Sequence, residues 1–448
     1  MMRKIIYLIL SSGISCAPAL DLYQAYLKAL SFNADYLKAI ANNEAGAEAP
    51  NIARAALLPQ ISATGQYNEN YLNQGGIQAY YHQPTYGGQF TQVIVDFSKF
   101  SKYTKGKFSA QLSELQLRNA RMDLMQSVSK AYFDVLYAED TLLATQKTRD
   151  ALYKQMTQAK SAFEVGSVTI ADVNDAQAGY DAAVAQEIQD KNDVINKKNV
   201  FYRLTGCDPE QIQPLQDQIH LQLPVPNSEQ VWAKIAESGN LNIQVADKQV
   251  AMAREDISIS RGGHYPTLSF NAQYQYQDTG GLDSTNMSAQ QQQYITSIPG
   301  TPLSSYGTGY AGFQVSIPIL AGGGINAQVR QAMDNYEASR QQQTSVSRTT
   351  DQNTRNSFWQ VQNGVSIVKA QKAALLSAKT KLDSDQLGYQ VGIRNSVDLV
   401  SAQKDYYQAF KNYQQARYQY LMAEVQLEYL SGKIDDAFMQ NINANIQQ

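Results

Sequence analysis

Tyr389-Gln390-Val391-Gly392-Ile393-Arg394-Asn395-Ser396-Val397-Asp398 reads as a sharp reversal between two long helices. A near-copy lies far upstream, Phe163-Glu164-Val165-Gly166-Ser167-Val168-Thr169-Ile170-Ala171-Asp172. Gly166 and Gly392 are 226 positions apart, as are Asp172 and Asp398. The same offset separates Leu204-Thr205-Gly206 from Leu430-Ser431-Gly432. A fixed offset held over that distance marks a duplicated unit.

Working outward, each turn is entered by a long helical pattern and left by a shorter one. From about 100 to 163 the apolar residues Met122, Met125, Val128, Tyr132 and Val135 step by three and four. At ~1.5 Å per residue this predicts a helix of roughly 95 Å. Length of that kind without a proline break means a coiled coil or long bundle. A second long helix is expected over 325–389, with Ser357-Phe358-Trp359 matching Ala131-Tyr132-Phe133 at the same offset. The return helices, 171–204 and 396–430, are little more than half as long, and Tyr406, Phe410, Tyr413, Tyr420 and Leu427 mark a seam on the second. Leu22, Tyr26, Ala29, Leu30, Leu37 and Ile40 predict a further helix over 20–57. Ser228, an N-cap before Val231 and Trp232, opens its counterpart over 228–261. Each of these shorter helices makes up the missing length if it stacks end to end with a return helix.

Between short and long helix the period changes to two. Ile61, Ala63, Gly65, Tyr67 and Tyr71 alternate with Ser62, Thr64, Gln66, Asn68 and Asn70. This is a strand with one apolar and one wet face. A loop over 73–85 and a second strand over 86–97 complete a hairpin. His264-Tyr265-Pro266 echoes Leu57-Leu58-Pro59 at an offset of 207, and Leu268, Phe270, Ala272, Tyr274 and Tyr276 alternate with Ser269, Asn271, Gln273, Gln275 and Gln277. A loop over 278–305 and a strand over 306–319 follow, with Ala321-Gly322-Gly323-Gly324 as exit. Growth of the offset from 207 to 226 gives the second hairpin the longer loop. The expected organisation is a first repeat over 20–206 with hairpin 61–97 and tip 163–172; an equatorial linker over 207–227; a second repeat over 228–432 with hairpin 267–319 and tip 389–398; and a polar tail over 433–448, peripheral or mobile.

The amino terminus reads as a secretory signal over 1–19: Arg3 and Lys4, an apolar core over 5–10, and Ala17-Pro18-Ala19 for cleavage. Its removal takes the formal charge from −3 to −5. Lipidation at Cys16 ranks below simple cleavage, because Gly13 stands where a larger aliphatic is usual. Cys207 is then the only thiol, so no intrachain disulfide forms, and a lone helix-end cysteine reads as inert. No later stretch is apolar for 18 residues, which excludes a helical membrane span. There is no basic run to bind nucleic acid. The 29 tyrosines, against 13 Phe and 2 Trp, suit membrane–water interfaces. His82, His220 and His264 lack metal-ligand spacing, and Gly322-Gly323-Gly324 lacks the Lys-Ser/Thr of a phosphate loop. No catalytic residue, cofactor or metal site is therefore expected, and the chain does not read as an enzyme.

Four strands with one lipid-like face cannot close a transmembrane barrel, which needs about eight. Oligomerisation to eight strands as a dimer or twelve as a trimer meets that need. Tyr67, Tyr71, Tyr86, Tyr274, Tyr276, Tyr306 and Tyr310 are placed to form aromatic girdles. Two other readings are weighed: a soluble β-sandwich fragment with helical arms, and a secreted or surface coiled-coil structural or adhesive protein. The signal peptide, the tyrosine enrichment and the polarity of the strand faces together disfavour the first, and the four alternating strands disfavour the second.

The order helix, hairpin, long helix, Val-Gly turn, helix, done twice, resembles the TolC family of outer-membrane efflux and secretion channels. The stretches that carry the resemblance are Leu57-Leu58-Pro59-Gln60, Val95-Asp96-Phe97-Ser98-Lys99, Phe163-Glu164-Val165-Gly166, Asp172-Val173, Leu204-Thr205-Gly206, Pro318-Ile319, Gly322-Gly323 and Tyr389-Gln390-Val391-Gly392-Ile393-Arg394. The resemblance implies a mixed α+β membrane protein: a homotrimer with a twelve-stranded β-barrel in the outer membrane, four strands per chain, continued by a long periplasmic α-helical barrel. It implies contact with outer-membrane lipid and docking to a periplasmic adaptor (membrane fusion) protein and an inner-membrane pump of RND or ABC type. Carried over by position, Tyr389 and Arg394 would hold Asp172 as a periplasmic gate. Asp398 would line a pore constriction, with Ser401 where the family often has a second acid; the first-repeat equivalent of Ser401 is Asp175. Val165, Gly166, Ser167, Val391, Gly392 and Ile393 would meet the adaptor. The bland reading of Asp172 and Asp398 is that carboxylates are favoured in the first turn of a helix in any case.

Overall fold

The computed structural model describes residues 20–74, 77–216, 219–278, 280, 288–297 and 305–444. The expected signal segment, with Cys16, lies outside them. The chain forms two compact units: one from Met1–Asn42, Leu115–Gln244 and Thr344–Gln448, the other from Asn43–Glu114 and Val245–Gln343. The units cut across the two repeats, because each repeat contributes segments to both.

The second unit holds a four-stranded antiparallel sheet in sequence order: β1 (Gln60–Gln74), β2 (Ile77–Val95), β3 (Thr267–Gln277) and β4 (Tyr306–Ser316). The hairpins of the two repeats join through β2 and β3. Register puts Ile61, Phe90, Ala272 and Ala311 in one row, and Gly65, Tyr86, Tyr276 and Gly307 in another. Ile61, Ala63, Tyr67 and Tyr71 of β1, Tyr86 and Phe90 of β2, the alternating apolar residues of β3, and Ala311, Phe313 and Val315 of β4 thus share one face. Phe270 packs edge-on against Phe90 at 5.9 Å and against Phe313 at 5.2 Å on it. Tyr274 lies over Gly309, where an added Cβ would come within 3.3 Å of its ring. The opposite face carries Ser62, Gln89 and Gln273 in one row and Thr64, Gln275 and Thr308 in another.

Two expectations change here. Residues 77–85 are strand, not loop. Pro84 is tolerated because its carbonyl accepts from Asp278 N–H on the edge away from β1; its missing N–H points the same way, beyond the β2–β3 ladder that begins at Thr85. Tyr306 and Tyr310 fall on the polar face, where the Tyr310 hydroxyl donates to Gln273 at 3.3 Å, so they do not belong with the aromatic residues of the apolar face. The alternation on β1 is also broken by Glu69, which shares the apolar face and sits opposite His82. β4 stops at Ser316, ahead of Pro318, and the second hairpin's loop contains α8 (Ala289–Ser297).

The helices begin with α1 (Leu22–Phe32), α2 (Ala34–Ala47) and α3 (Ala49–Ala55), three pieces where one helix was expected. α4 (Phe97–Glu164) and α5 (Ile170–Thr205) make the first long hairpin; α9 (Gly324–Gln390) and α10 (Ser396–Ser431) make the second. α6 (Glu229–Gly239) and α7 (Leu241–Gly262) precede β3. The breaks at 33 and 240 have the same cause. Asn33 accepts from Tyr36 N–H and donates to the Leu204 carbonyl; Asn240 accepts from Asn242 and Ile243 N–H and donates to the Leu430 carbonyl. Each asparagine caps a new helix while satisfying the last turn of a return helix. Gly206 and Gly432 close those return helices in left-handed conformation, φ 68° and 73°.

The first unit's core contains Leu22, Tyr26, Met125, Val128, Tyr132, Val135, Phe201, Tyr420, Leu421 and Val425. The predicted α4 seam is buried throughout; on α10, Tyr413, Tyr420 and Leu427 are buried. The expected polar tail is corrected: α11 (Asp436–Asn443) is ordered, with Met439 and Ile442 buried and Asn443 accepting from Tyr23 N–H at 3.2 Å. Gln440 and Asn441, between Met439 and Ile442, face outward, which concealed a short apolar stripe.

Candidate functional site at the interhelical turns

Both turns lie in the first unit. Each long helix ends on a left-handed glycine, Gly166 at φ 72° and Gly392 at φ 79°. No atom approaches the space of a Cβ at either glycine, so backbone conformation alone selects the residue. Ser167 N–H donates to the Ala162 carbonyl at 2.9 Å and Ile393 N–H to the Gly388 carbonyl at 2.8 Å, which closes the last turns. The residues around them stay in solvent: Val165 is 79% exposed, Val391 60% and Ile393 81%. Three aliphatic side chains left in water at two turn tips are an unsatisfied apolar surface.

The helices restart alike. Thr169 caps α5 and Asn395, at the 226 offset, caps α10. The two acids then differ. Asp172 closes a capping box: its carboxylate accepts from the Thr169 backbone N–H and hydroxyl, both at 2.8 Å. The backbone bond first, then the hydroxyl, holds the Asp172 carboxyl below its ordinary range. Asp398 donates its N–H to Asn395 at 2.8 Å, but no such bond returns from Asn395 to its carboxylate among the described residues. That carboxylate lies 3.9 Å from Arg394 instead.

Arg394 is held by its own hairpin. Its Nε is 3.4 Å from Asp385, whose side chain is 11% exposed against 55% for the arginine. Gly388 makes this possible, since a Cβ there would meet Arg394 Cγ at 2.7 Å. Nearby, Lys381 ties α9 to Asp405 of α10 at 2.6 Å. Tyr389 is half-buried. Within one chain no hydrogen bond or ion pair joins Asp172 to Tyr389 or Arg394 among the described residues. Ser401 and Asp175 are both exposed.

Sequence reading missed Asp385. It sits nine positions before Arg394 across a reversal, a spacing with no helical or strand period to flag it. The first turn has no counterpart: the residues at the 226 offset are Ala159 and Val168. The ion-paired tip is therefore a property of the second repeat alone. Among the described residues no group of three or more His, Cys, Asp or Glu is arranged to hold a metal ion, and no helix is long and apolar enough to cross a membrane.

A family model described as outer membrane efflux protein matches residues 25–207 and 232–433. Over 441 residues, 98% of this chain and 87% of the relative, the sequence is 31% identical to Outer membrane protein TolC of Escherichia coli K12. It is 26% identical to Alkaline protease secretion protein AprF of Pseudomonas aeruginosa, covering 95% of this chain and 87% of that protein. The fold superposes on the crystal structure of the Campylobacter jejuni CmeC outer membrane channel with a TM-score of 0.76, 16% identity, and coverage of 100% and 98%.

Proposed function

The chain belongs to the outer membrane efflux protein family, and from that footing we propose that three copies form the outer-membrane exit duct of a tripartite efflux pump or type I secretion system. The observation that carries the reading is the sheet. It has an exposed apolar face, one polar face, and outer strands β1 and β4 that each have a single partner within the chain. Lipid cannot satisfy open strand edges. The edges are met when β1 of one copy pairs with β4 of the next, and three copies give twelve strands.

In this reading the helical hairpins lie in the periplasm, and their tips form the gate and the docking surface. Asp172 of one copy takes Arg394 and Tyr389 of a neighbour; Asp398 lines the constriction, with Ser401 one turn beyond it. Val165, Gly166, Ser167, Val391, Gly392 and Ile393 receive a periplasmic adaptor that links the duct to an inner-membrane pump of RND or ABC type. The duct itself performs no covalent chemistry.

Planar-bilayer recording tests the duct. The purified protein is expected to give discrete cation-preferring channels, and absence of conductance from a properly inserted protein would refute it. Drug susceptibility and the secreted-protein profile of a gene deletion separate efflux from secretion cargo.

A further inference from the structure

Between Arg54 and Lys99, and again between Arg261 and Arg330, the sequence contains no Lys or Arg at all. Those two spans hold all four strands. Lys and Arg resume just beyond three of the four helix-side strand ends: Arg54 six residues before β1, Lys99 and Lys102 four and seven after β2, Arg261 six before β3; after β4 the next is Arg330, 14 residues on. Arg54 and Arg261 stand at the 207 offset of the duplication. The far ends of the strands carry Glu69 and Asp278 and no cation.

Packing brings these positions to one rim of the second unit. Ser98 of α4 donates to the Ile259 carbonyl of α7 at 2.6 Å, and Phe97 and Tyr265 rings lie 5.0 Å apart. A Cβ on Gly106 of α4 would meet the Ala49 carbonyl of α3 at 2.9 Å. The ends of α4 and α7 therefore touch, α3 packs against α4 at its other end, and three residues beyond Arg54 the Leu57 carbonyl accepts from the Gln92 amide of β2 at 2.8 Å. Arg54, Lys102 and Arg261 are exposed and Lys99 is half-buried. None of the four makes an ion pair among the described residues, whereas Lys105, deeper along α4, is neutralised by Asp256 at 2.6 Å. Between cations and strands lie exposed Leu58, Phe97, Phe100 and Tyr265.

We propose that Arg54, Lys99, Lys102 and Arg261 form a basic collar that seats on the headgroups of anionic phospholipid in the periplasmic leaflet of the outer membrane. The inference deepens the membrane reading of the sheet and rests on it. The layering is that of an interface: apolar strand face, then aromatic and aliphatic side chains, then cations. Four to seven residues separate each cation from its strand end, at least roughly 6–10 Å at the helical rise, about the thickness of a headgroup layer. Anionic headgroups attract such residues over distances within a Debye length, and the uncharged strand span leaves the attraction on one side only.

The test uses the full-length protein in nanodiscs of phosphatidylcholine containing trace spin-labelled phosphatidylglycerol or phosphatidylcholine. The wild-type protein is expected to immobilise the anionic label about two- to threefold over the zwitterionic one, with the preference falling as salt is raised. The combined Arg54→Gln, Lys99→Gln, Lys102→Gln, Arg261→Gln variant is expected to insert equally well and lose the preference. Equal immobilisation of the two labels by inserted wild type overturns the collar, whatever the variant does. Loss of the preference to inorganic phosphate, but not to chloride of the same ionic strength, also overturns it in favour of a free-anion site. Failure of wild type to enter any bilayer would instead overturn the membrane reading of the sheet.

Discussion

Arg394 has two carboxylates of its own hairpin in reach, Asp385 at 3.4 Å and Asp398 at 3.9 Å, before any neighbouring copy is considered. Because the guanidinium is 55% exposed, even the pair with buried Asp385 contributes only on the order of 1 kcal/mol, so the arginine can be exchanged between partners at little cost. Arg394→Ser is expected to raise single-channel conductance, and Tyr389→Phe to add to the effect; unchanged conductance in the double variant would remove both from the gate. Asp385→Asn is expected to act oppositely, because releasing the guanidinium from α9 leaves it available to Asp172. A rise in conductance there would make the Asp385 pair itself the latch. Asp398→Ala is expected to abolish block by trivalent cations added on the periplasmic side, since a ring of carboxylates is what holds a multivalent ion in a pore. A residue away from the tips, Glu424, gives a pH signature. Burial, chiefly, raises the Glu424 carboxyl from 4.5 to about 7, opposed by a hydrogen bond from the Tyr420 hydroxyl and assisted by Glu428. Its folded pKa lies above the unfolded one, so its ionisation destabilises: the cost is absent below about pH 4.5 and complete above about pH 7. Glu424→Gln is expected to match wild type in denaturation near pH 4.5 and exceed it by on the order of 2 kcal/mol near pH 8. Parallel curves at both pH values would contradict this.

At the scale of elements, the duplication is expressed as paired joints. Asn33 and Asn240 each start one helix and finish another, and Gly206 and Gly432 end the return helices beside them. The second joint is tighter: the Asn240 amide is 2.9 Å from its carbonyl, against 3.4 Å for Asn33. Asn240→Ala removes a cap and a buried bond together and is expected to cost about 2 kcal/mol, more than Asn33→Ala, by chemical denaturation. The long helices, both turns and the strand periods were legible because each has a local signal. The asparagine joints were not, because a mid-pattern Asn becomes a cap only when another helix end presents a carbonyl to it. The extension of β2 was hidden by Pro84, whose missing N–H lies on the side away from β1 and leaves the β1–β2 ladder intact. α11 was hidden by its polar surface and revealed by the pocket its Met439 fills.

For the molecule as a whole, the decisive feature is a sheet that one chain leaves open. The trimer reading predicts an SDS-resistant band that collapses on boiling to a monomer of 49.7 kDa less the signal segment. A band at monomer position without boiling, from protein extracted in mild detergent, would argue against closure through copies. Family membership and outer-membrane location follow from a match along nearly the entire chain; the choice among cargoes, pumps and adaptors lies in contacts with other proteins.

The sequence by itself determined the duplication, the helix-to-strand alternation, the two Val-Gly turns and the base-free strand spans, because periodicity and fixed offsets are carried by the chain alone. Only the tertiary structure decided that Tyr306 and Tyr310 lie on the wet face, since strand register is set by the neighbouring strand. It alone decided that Asp172 and Asp398 are unlike, one bound into a capping box and the other facing an arginine. It also decided that Arg394, at the turn between the two long helices of the second repeat, first answers to Asp385. Which carboxylate reaches a guanidinium depends on how the backbone folds back, and no spacing in the sequence encodes that.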